Sequence, residues 1–190
     1  MKKLPLYNKV LSRIAYVKRD LGLLLYSPRE YLYSYTYSKD KKIKIYPYNP
    51  RVTKIGERIV SAIRAKFPEL TVHLIGSASL KISGQRDIDI LVECERGEFA
   101  KYLSGFVALF GREDKKRPLW TEWHFIQDGC AVEIMLIDPK TRVFQEPMRT
   151  YNILAHNKKA LKEYERLKHT SNGITEREYK KVRLDFFNRL

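Results

Sequence analysis

Leu74-Ile75-Gly76-Ser77, then nine residues, then Asp87-Ile88-Asp89-Ile90-Leu91-Val92, is the stretch whose reading decides the fold. Val72 to Ile75 reads as a short apolar strand running straight into a Gly-Ser turn, and Asp87 to Val92 as a second strand. Strand residues two apart point the same way, with Cα atoms about 7 Å apart, so Asp87 and Asp89 present both carboxylates to one side. Ile88, Ile90 and Val92 supply the apolar side. Two neighbouring carboxylates repel each other, and desolvating them is costly unless a cation joins them. Magnesium, or manganese in its place, takes oxygen ligands and keeps water or substrate phosphates as the remainder. Gly76 lets the backbone approach a phosphate, and Ser77 adds a hydroxyl and an amide N–H. A short helix starting there would favour anions further. Phosphate on the loop and metal on the acids would converge on one triphosphate.

A two-metal displacement wants a third carboxylate. Val132-Glu133-Ile134-Met135-Leu136-Ile137 is an apolar strand with one acid inside it, which makes Glu133 the candidate, either as a ligand of the second ion or as base toward the acceptor. Asp138, at the end of the same strand, is the fallback. Lys81 and Arg86 flank the loop and either neutralise phosphate or stand as solvated surface.

Outward from this centre, Val52, Ile55, Ile59, Ile63 and Phe67 have helical spacing, and Pro68 stops that helix. Glu98 to Phe110 reads as a helix between strands. Trp120–Gln127 and Ala131–Ile137 read as strands joined by a tight Asp128-Gly129 turn. From Pro147 the pattern is helical to the end, with Thr175 and Glu178 as a capping box. His73 and His124 lie in strands without metal-ligand spacing and read as structural, as does His156 near a helix end. Trp120 and Trp123 read as core packing in preference to base stacking.

The chain has 190 residues, 44% of them apolar, enough for one sizeable core. Cys94 and Cys130 cannot form a disulfide framework, no signal peptide is legible, and no apolar run is long enough to span a membrane; a soluble cytoplasmic protein is expected. Net charge is +15 and unevenly placed. Residues 1–49 carry 11 basic and 3 acidic groups, 50–150 carry 16 and 14, and 151–190 carry 10 and 5. Basic ends around a nearly balanced centre suit RNA or another polyanion gripped from the periphery, or simply a soluble surface.

The expected organisation is a basic, tyrosine-rich extension over 1–49 and a domain over 50–190 that includes C-terminal helices from 147. In the extension, Tyr7, Val10, Leu11, Ile14, Leu21, Leu24 and Leu25 mark an amphipathic helix. Tyr31, Tyr33, Tyr35 and Tyr37 alternate strictly, and Ile43 to Tyr48 is strand-like, which predicts a hairpin. Packing of its tyrosines on the domain is favoured over stacking on bases.

Ile75-Gly76-Ser77, nine residues, Asp87-Ile88-Asp89 resembles the pattern of the nucleotidyltransferase superfamily. The resemblance implies an α/β (α+β) fold, a mixed β-sheet flanked by helices. It also implies Asp87, Asp89 and Glu133 as metal triad, and transfer of a nucleoside monophosphate with release of pyrophosphate. A closer resemblance, from Tyr46 to the C-terminus, is to the GrpB-like branch. It rests on Tyr46-Pro47-Tyr48-Asn49-Pro50, on Met148-Arg149-Thr150-Tyr151-Asn152-Ile153-Leu154-Ala155-His156-Asn157, and on Tyr164-Glu165-Arg166-Leu167-Lys168. Ala78-Ser79-Leu80-Lys81 departs from that branch's usual loop, and the spacer before the acids is shorter. The chain lacks room for the additional parts of a processive polymerase, which argues against templated synthesis. A non-catalytic nucleotide- or RNA-binding module on the same fold is the alternative.

Overall fold

The computed structural model describes residues 6–190, with the side chains of 6–14 and of Tyr26 excepted. The expected apolar positions Tyr7 to Ile14 therefore lie outside the described side chains. By packing, the chain divides into two compact units, Ile45–His169 and the pair of segments Met1–Lys44 and Thr170–Leu190.

The larger unit is built on a mixed five-stranded sheet in the order β1-β2-β5-β4-β3, with β1 Val72–Ile75, β2 Asp87–Glu93, β3 Lys115–Lys116, β4 Trp120–Gln127 and β5 Cys130–Ile137. Only β2 and β5 run parallel, and the other pairings are antiparallel. The β4–β5 hairpin turns at Asp128-Gly129, both with positive φ as a two-residue turn requires.

One face of the sheet is largely apolar, with Thr121 of β4 the buried polar residue on it. Ile88, Ile90 and Val92 of β2, Val132, Ile134 and Leu136 of β5, and Trp123 of β4 join a single cluster with α3 (Pro50–Lys66) and α5 (Phe99–Phe110). Helix α3 begins where Asn49 accepts a hydrogen bond from the Arg51 N–H and Pro50 takes the first helical position. Its Ile55, Ile59 and Ile63 are buried at helical spacing. Trp123 stacks on Phe106 at 5.1 Å and donates its indole N–H to the Gly111 carbonyl, so the core-packing expectation fits its place. Cys94 and Cys130 are free and buried, and burial pushes the Cys94 thiol up to about 11.

The opposite face is divided. Leu91, Met135, Ile137 and Ile75 pack under Phe144 of α6 (Arg142–His156), while the end that holds Asp87 and Asp89 takes no part in that cluster. Helix α6 begins five residues before Pro147, a correction to the expected start. Thr141 caps the first turn and Phe144 anchors it in the smaller apolar cluster, so one backbone hydrogen bond lost to proline near the start does not break the helix. Helix α7 (Lys158–Thr170) follows.

The smaller unit is helical: α1 (Leu6–Tyr26), α2 (Pro28–Tyr33), a 3-10 turn at Ser34–Thr36, and α8 (Glu176–Asn188). The hairpin expected from Tyr31 to Tyr48 is corrected here. Pro28 opens a helix, with Glu30 in its first turn, and the alternating tyrosines become i, i+4 neighbours: Tyr31 meets Tyr35 edge-on at 5.5 Å, and Tyr33 meets Tyr37 at 5.8 Å. Lys42 forms an isolated bridge to Thr175. The apolar stripe of α1 is also turned differently from expectation. Leu23 is buried, whereas Leu21, Leu24 and Leu25 are exposed. Helix α8 approaches the polar side of α1 because Lys181 of α8 pairs with Asp20 at 2.8 Å and Arg19 of α1 pairs with Glu178 at 2.9 Å. Thr175 caps α8 by accepting from the Glu178 N–H, as its position in the capping box requires.

No helix among the described residues is long and apolar enough to cross a membrane.

Candidate functional site

Gly76 directly follows β1 and opens α4 (Gly76–Leu80) with φ +73°, a conformation that favours glycine. A Cβ at this position would lie 2.3 Å from Asp89 Oδ2, so the missing side chain is what lets the turn lie against that carboxylate. At five residues α4 is too short for a substantial macrodipole, and the anion preference expected of its N-terminus is weak. The loop's polar contribution therefore comes from Ser77 and from backbone amides.

Asp87 and Asp89 alternate along β2 on the face opposite the large core and are both half-buried. Parallel pairing puts Asp89 in register with Glu133 on β5, and antiparallel pairing puts Ile75 opposite Asp89. The side chains of Asp89 and Glu133 thus leave the same face of the sheet, from strands about 4.8 Å apart. Fallback residue Asp138 lies beyond β5 and accepts hydrogen bonds from the Lys140 N–H and, at its carbonyl, from the Thr141 hydroxyl, which gives it a turn-forming role.

Glu133 faces His124, its register partner on β4, with Nε2 3.9 Å from Oε2. The same histidine lies 3.4 Å from the Asp114 carboxylate. His124, expected to be structural, stands at the edge of the acidic group, and only the strand register reveals this. Burial raises the Glu133 carboxyl above its ordinary value; His124 and Lys115 oppose the shift, while Glu122 and Asp87 add to it. The shift is modest in consequence because 44% of the side chain is exposed. Glu122, on the same face, is held by Lys115 at 2.8 Å and by the Trp120 indole N–H at 2.5 Å.

Among the described residues, no three His, Cys, Asp or Glu side chains already converge as a metal cage. The donor set nevertheless fits a hard divalent ion that keeps water and phosphate ligands: two carboxylates alternate on one strand face, a third is in register with one of them, and a glycine leaves room beside it.

The phosphate candidates separate. Ser77 and Arg86 line a shallow cleft with Asp87, Gly84, Tyr48 and Pro47. Arg86 has φ +64° and lays its guanidinium over the Tyr46 ring at 4.1 Å. Lys81 is exposed, occupies the left-handed C-cap of α4, and does not line that cleft. One residue was missed altogether: Lys168 of α7, 5% exposed, donates to Ser77 Oγ. Its only sequence signal was its place in the Tyr164–Lys168 stretch.

A Gly-Ser turn pressed against an acid pair on a mixed sheet is the arrangement of a nucleotidyltransferase-like protein. The sequence profile of the GrpB protein family matches residues 42–190, and the chain belongs to that family. No curated protein matches it.

Proposed function

We propose that the chain is a metal-dependent nucleotidyltransferase acting in the cytosol, with a nucleoside triphosphate as donor. The observation that carries this is the apposition of Gly76 to Asp89, with Asp87 beside it on the same strand face and Glu133 in register on β5. A phosphate-accommodating turn and an acid pair on one patch are what a triphosphate with its counter-ion requires.

In the reaction, an acceptor oxygen forms a bond to the α-phosphorus while the bond from that phosphorus to the oxygen bridging to the β-phosphate breaks. Pyrophosphate leaves with the electron pair, and the acceptor proton passes to the solvent that reaches this exposed face. Magnesium or manganese held by Asp87 and Asp89, with Glu133 beside them, would supply positive charge to the triphosphate and acidify the acceptor. Gly76 keeps the turn close to Asp89, while Ser77 and Arg86 meet phosphate oxygens in the cleft. Lys81, at its exposed cap, contributes at most long-range charge.

A second reading, a non-catalytic RNA- or nucleotide-binding module, draws support from charge. The segments 1–44 and 170–190 hold 16 basic and 6 acidic residues. Thermal melting with magnesium and each of the four ribonucleoside triphosphates separates the two. Metal-dependent stabilisation by a triphosphate, abolished in Asp87→Ala/Asp89→Ala, is the expected result. No stabilisation by any nucleotide, together with RNA binding of steep salt dependence, would replace the enzyme by the module.

A further inference from the structure

Helix α1 has two sides of different character. On one, Arg19 pairs with Glu178 of α8, Asp20 accepts from Lys181, and Leu23 is buried. On the other, Val17, Leu21, Leu24 and Leu25 recur at steps of four, three and one, which makes one continuous stripe along a helix. Every member of that stripe is between 45% and 74% exposed. Leu32 and Tyr33 of α2 are exposed as well, on the helix face that also carries Arg29. Most of the large apolar and tyrosine side chains exposed among the described residues fall within 16–35. A single exposed leucine needs no explanation, whereas a contiguous apolar stripe marks a surface that something else covers.

We propose that this stripe docks the chain on an anionic phospholipid bilayer, with α1 lying in the plane of the headgroups. Charge selects this occupant. The segments 1–44 and 170–190 hold 16 basic and 6 acidic residues, a net charge of +10. Three of those acids, Asp20, Glu176 and Glu178, are ion-paired within the unit. Lys18, three residues before Leu21 and seven before Leu25, is exposed and borders the stripe. A second copy of the chain would cover the leucines, but it would bring two units of this charge together, which is unfavourable. A nucleic acid would answer the charge, yet it is held by phosphate contacts and aromatic stacking and gives aliphatic side chains little to bury against. An anionic bilayer answers both. The acyl boundary takes Val17 and the leucines, the headgroups take Lys18 and Arg29, and a tyrosine such as Tyr33 suits the level between them. The proposal stands on α1 and α2 alone and is independent of the nucleotidyl-transfer reading.

The test is co-sedimentation of the full chain with phosphatidylcholine vesicles and with vesicles of equal parts phosphatidylcholine and phosphatidylglycerol. Wild type is expected to bind the anionic vesicles about tenfold or more tightly than the neutral ones. Leu21→Gln/Leu25→Gln leaves the charge unchanged and is expected to weaken that binding about tenfold or more, because two leucines no longer enter the acyl boundary. Lys18→Gln is expected to weaken it about fivefold. These side chains are exposed, so each variant should melt with wild type. Should the leucine pair melt early, Val17→Gln/Leu24→Gln on the same stripe is expected to show the same loss. Absence of wild-type binding to anionic vesicles overturns the proposal. So does equal binding by wild type and the stripe variants, since charge alone would then hold the protein. A wild-type dimer in analytical ultracentrifugation that the stripe variants dissociate, without vesicle binding, overturns it in favour of a second copy. RNA binding that survives the stripe variants, again without vesicle binding, overturns it in favour of nucleic acid.

Discussion

The unit spanning Ile45–His169 and the unit made of the first 44 and last 21 residues are held by different forces. In the first, a sheet face from Val72 to Leu136 and two helices share one apolar cluster centred on Trp123, Phe106 and Ile134. In the second, few large apolar side chains are buried among the described residues, chiefly Leu23, Ile43, Tyr179 and Phe186. Its helices are instead tied by a charged and aromatic network. The Lys181 ammonium, 5% exposed, bonds to Asp20 and stands between the Tyr31 and Tyr35 rings at 4.9 and 4.7 Å, while Arg19 bridges Asp20 and Glu178. Non-directional burial tolerates a wide range of local detail, whereas a paired buried cation depends on one arrangement of partners. The difference teaches which perturbations each unit can absorb.

The largest expected effect is in the apolar unit. Trp123→Ala removes the indole that stacks on Phe106 and leaves a cavity, which costs about 3–5 kcal/mol in denaturant titration. A loss below about 1 kcal/mol would mean that this unit does not depend on its core. Next, Lys181→Met in the charged unit strands Asp20 with Arg19 as its remaining ion-pair partner; since the carboxylate is partly exposed, the cost is about 2–3 kcal/mol. If Lys181→Met proves neutral, tyrosine packing and not charge holds these helices. Gly76→Ala follows, at about 1–3 kcal/mol, because the new methyl meets Asp89 at a positive φ. That variant also tests the site, since a displaced Asp89 weakens triphosphate-dependent stabilisation more than it lowers the melting point without ligand.

The smallest effect is one of pH. Burial would raise the Asp20 carboxyl, but hydrogen bonds from Lys181 and Arg19 outweigh it and hold the group below its ordinary 3.8. A depressed native pKa gives stability that is complete above the unfolded value and is lost as pH falls through the native one. Acid unfolding of wild type should therefore carry a component below about pH 4 that Asp20→Asn lacks. Identical acid profiles for the two would remove the ion pair from the account of this unit.

The same contrast explains how much was legible from residues alone. Strands β1, β2 and β5, helices α3 and α5, and the Asp87–Asp89 alternation could be read because each has an apolar face whose period matches its element. The tyrosines at 31, 33, 35 and 37 could not, since a period of two is also a spacing of four, and Pro28 with the contacts of a charged unit selects the helix. Leu21, Leu24 and Leu25 misled in the same way, because α8 is drawn to the polar side of α1 by ion pairs that leave no hydrophobic period. At the site, Gly76, Ser77 and the acids lie on neighbouring strand ends and announce themselves locally. Lys168 reaches Ser77 across 91 residues, and His124 reaches Glu133 only through the β4–β5 register, so tertiary structure was needed for both.

The central claim is that the strand face bearing Asp87 and Asp89 holds a divalent ion together with a triphosphate. Electron paramagnetic resonance of manganese added to the full chain measures this directly, with and without nucleoside triphosphate. The account predicts a bound-manganese signal that strengthens with triphosphate beyond the nucleotide's own chelation and disappears in Asp87→Asn/Asp89→Asn, while that variant melts no lower than wild type without metal, since two mutually repelling charges have been removed. Manganese and triphosphate binding that is unchanged in the double variant would contradict it.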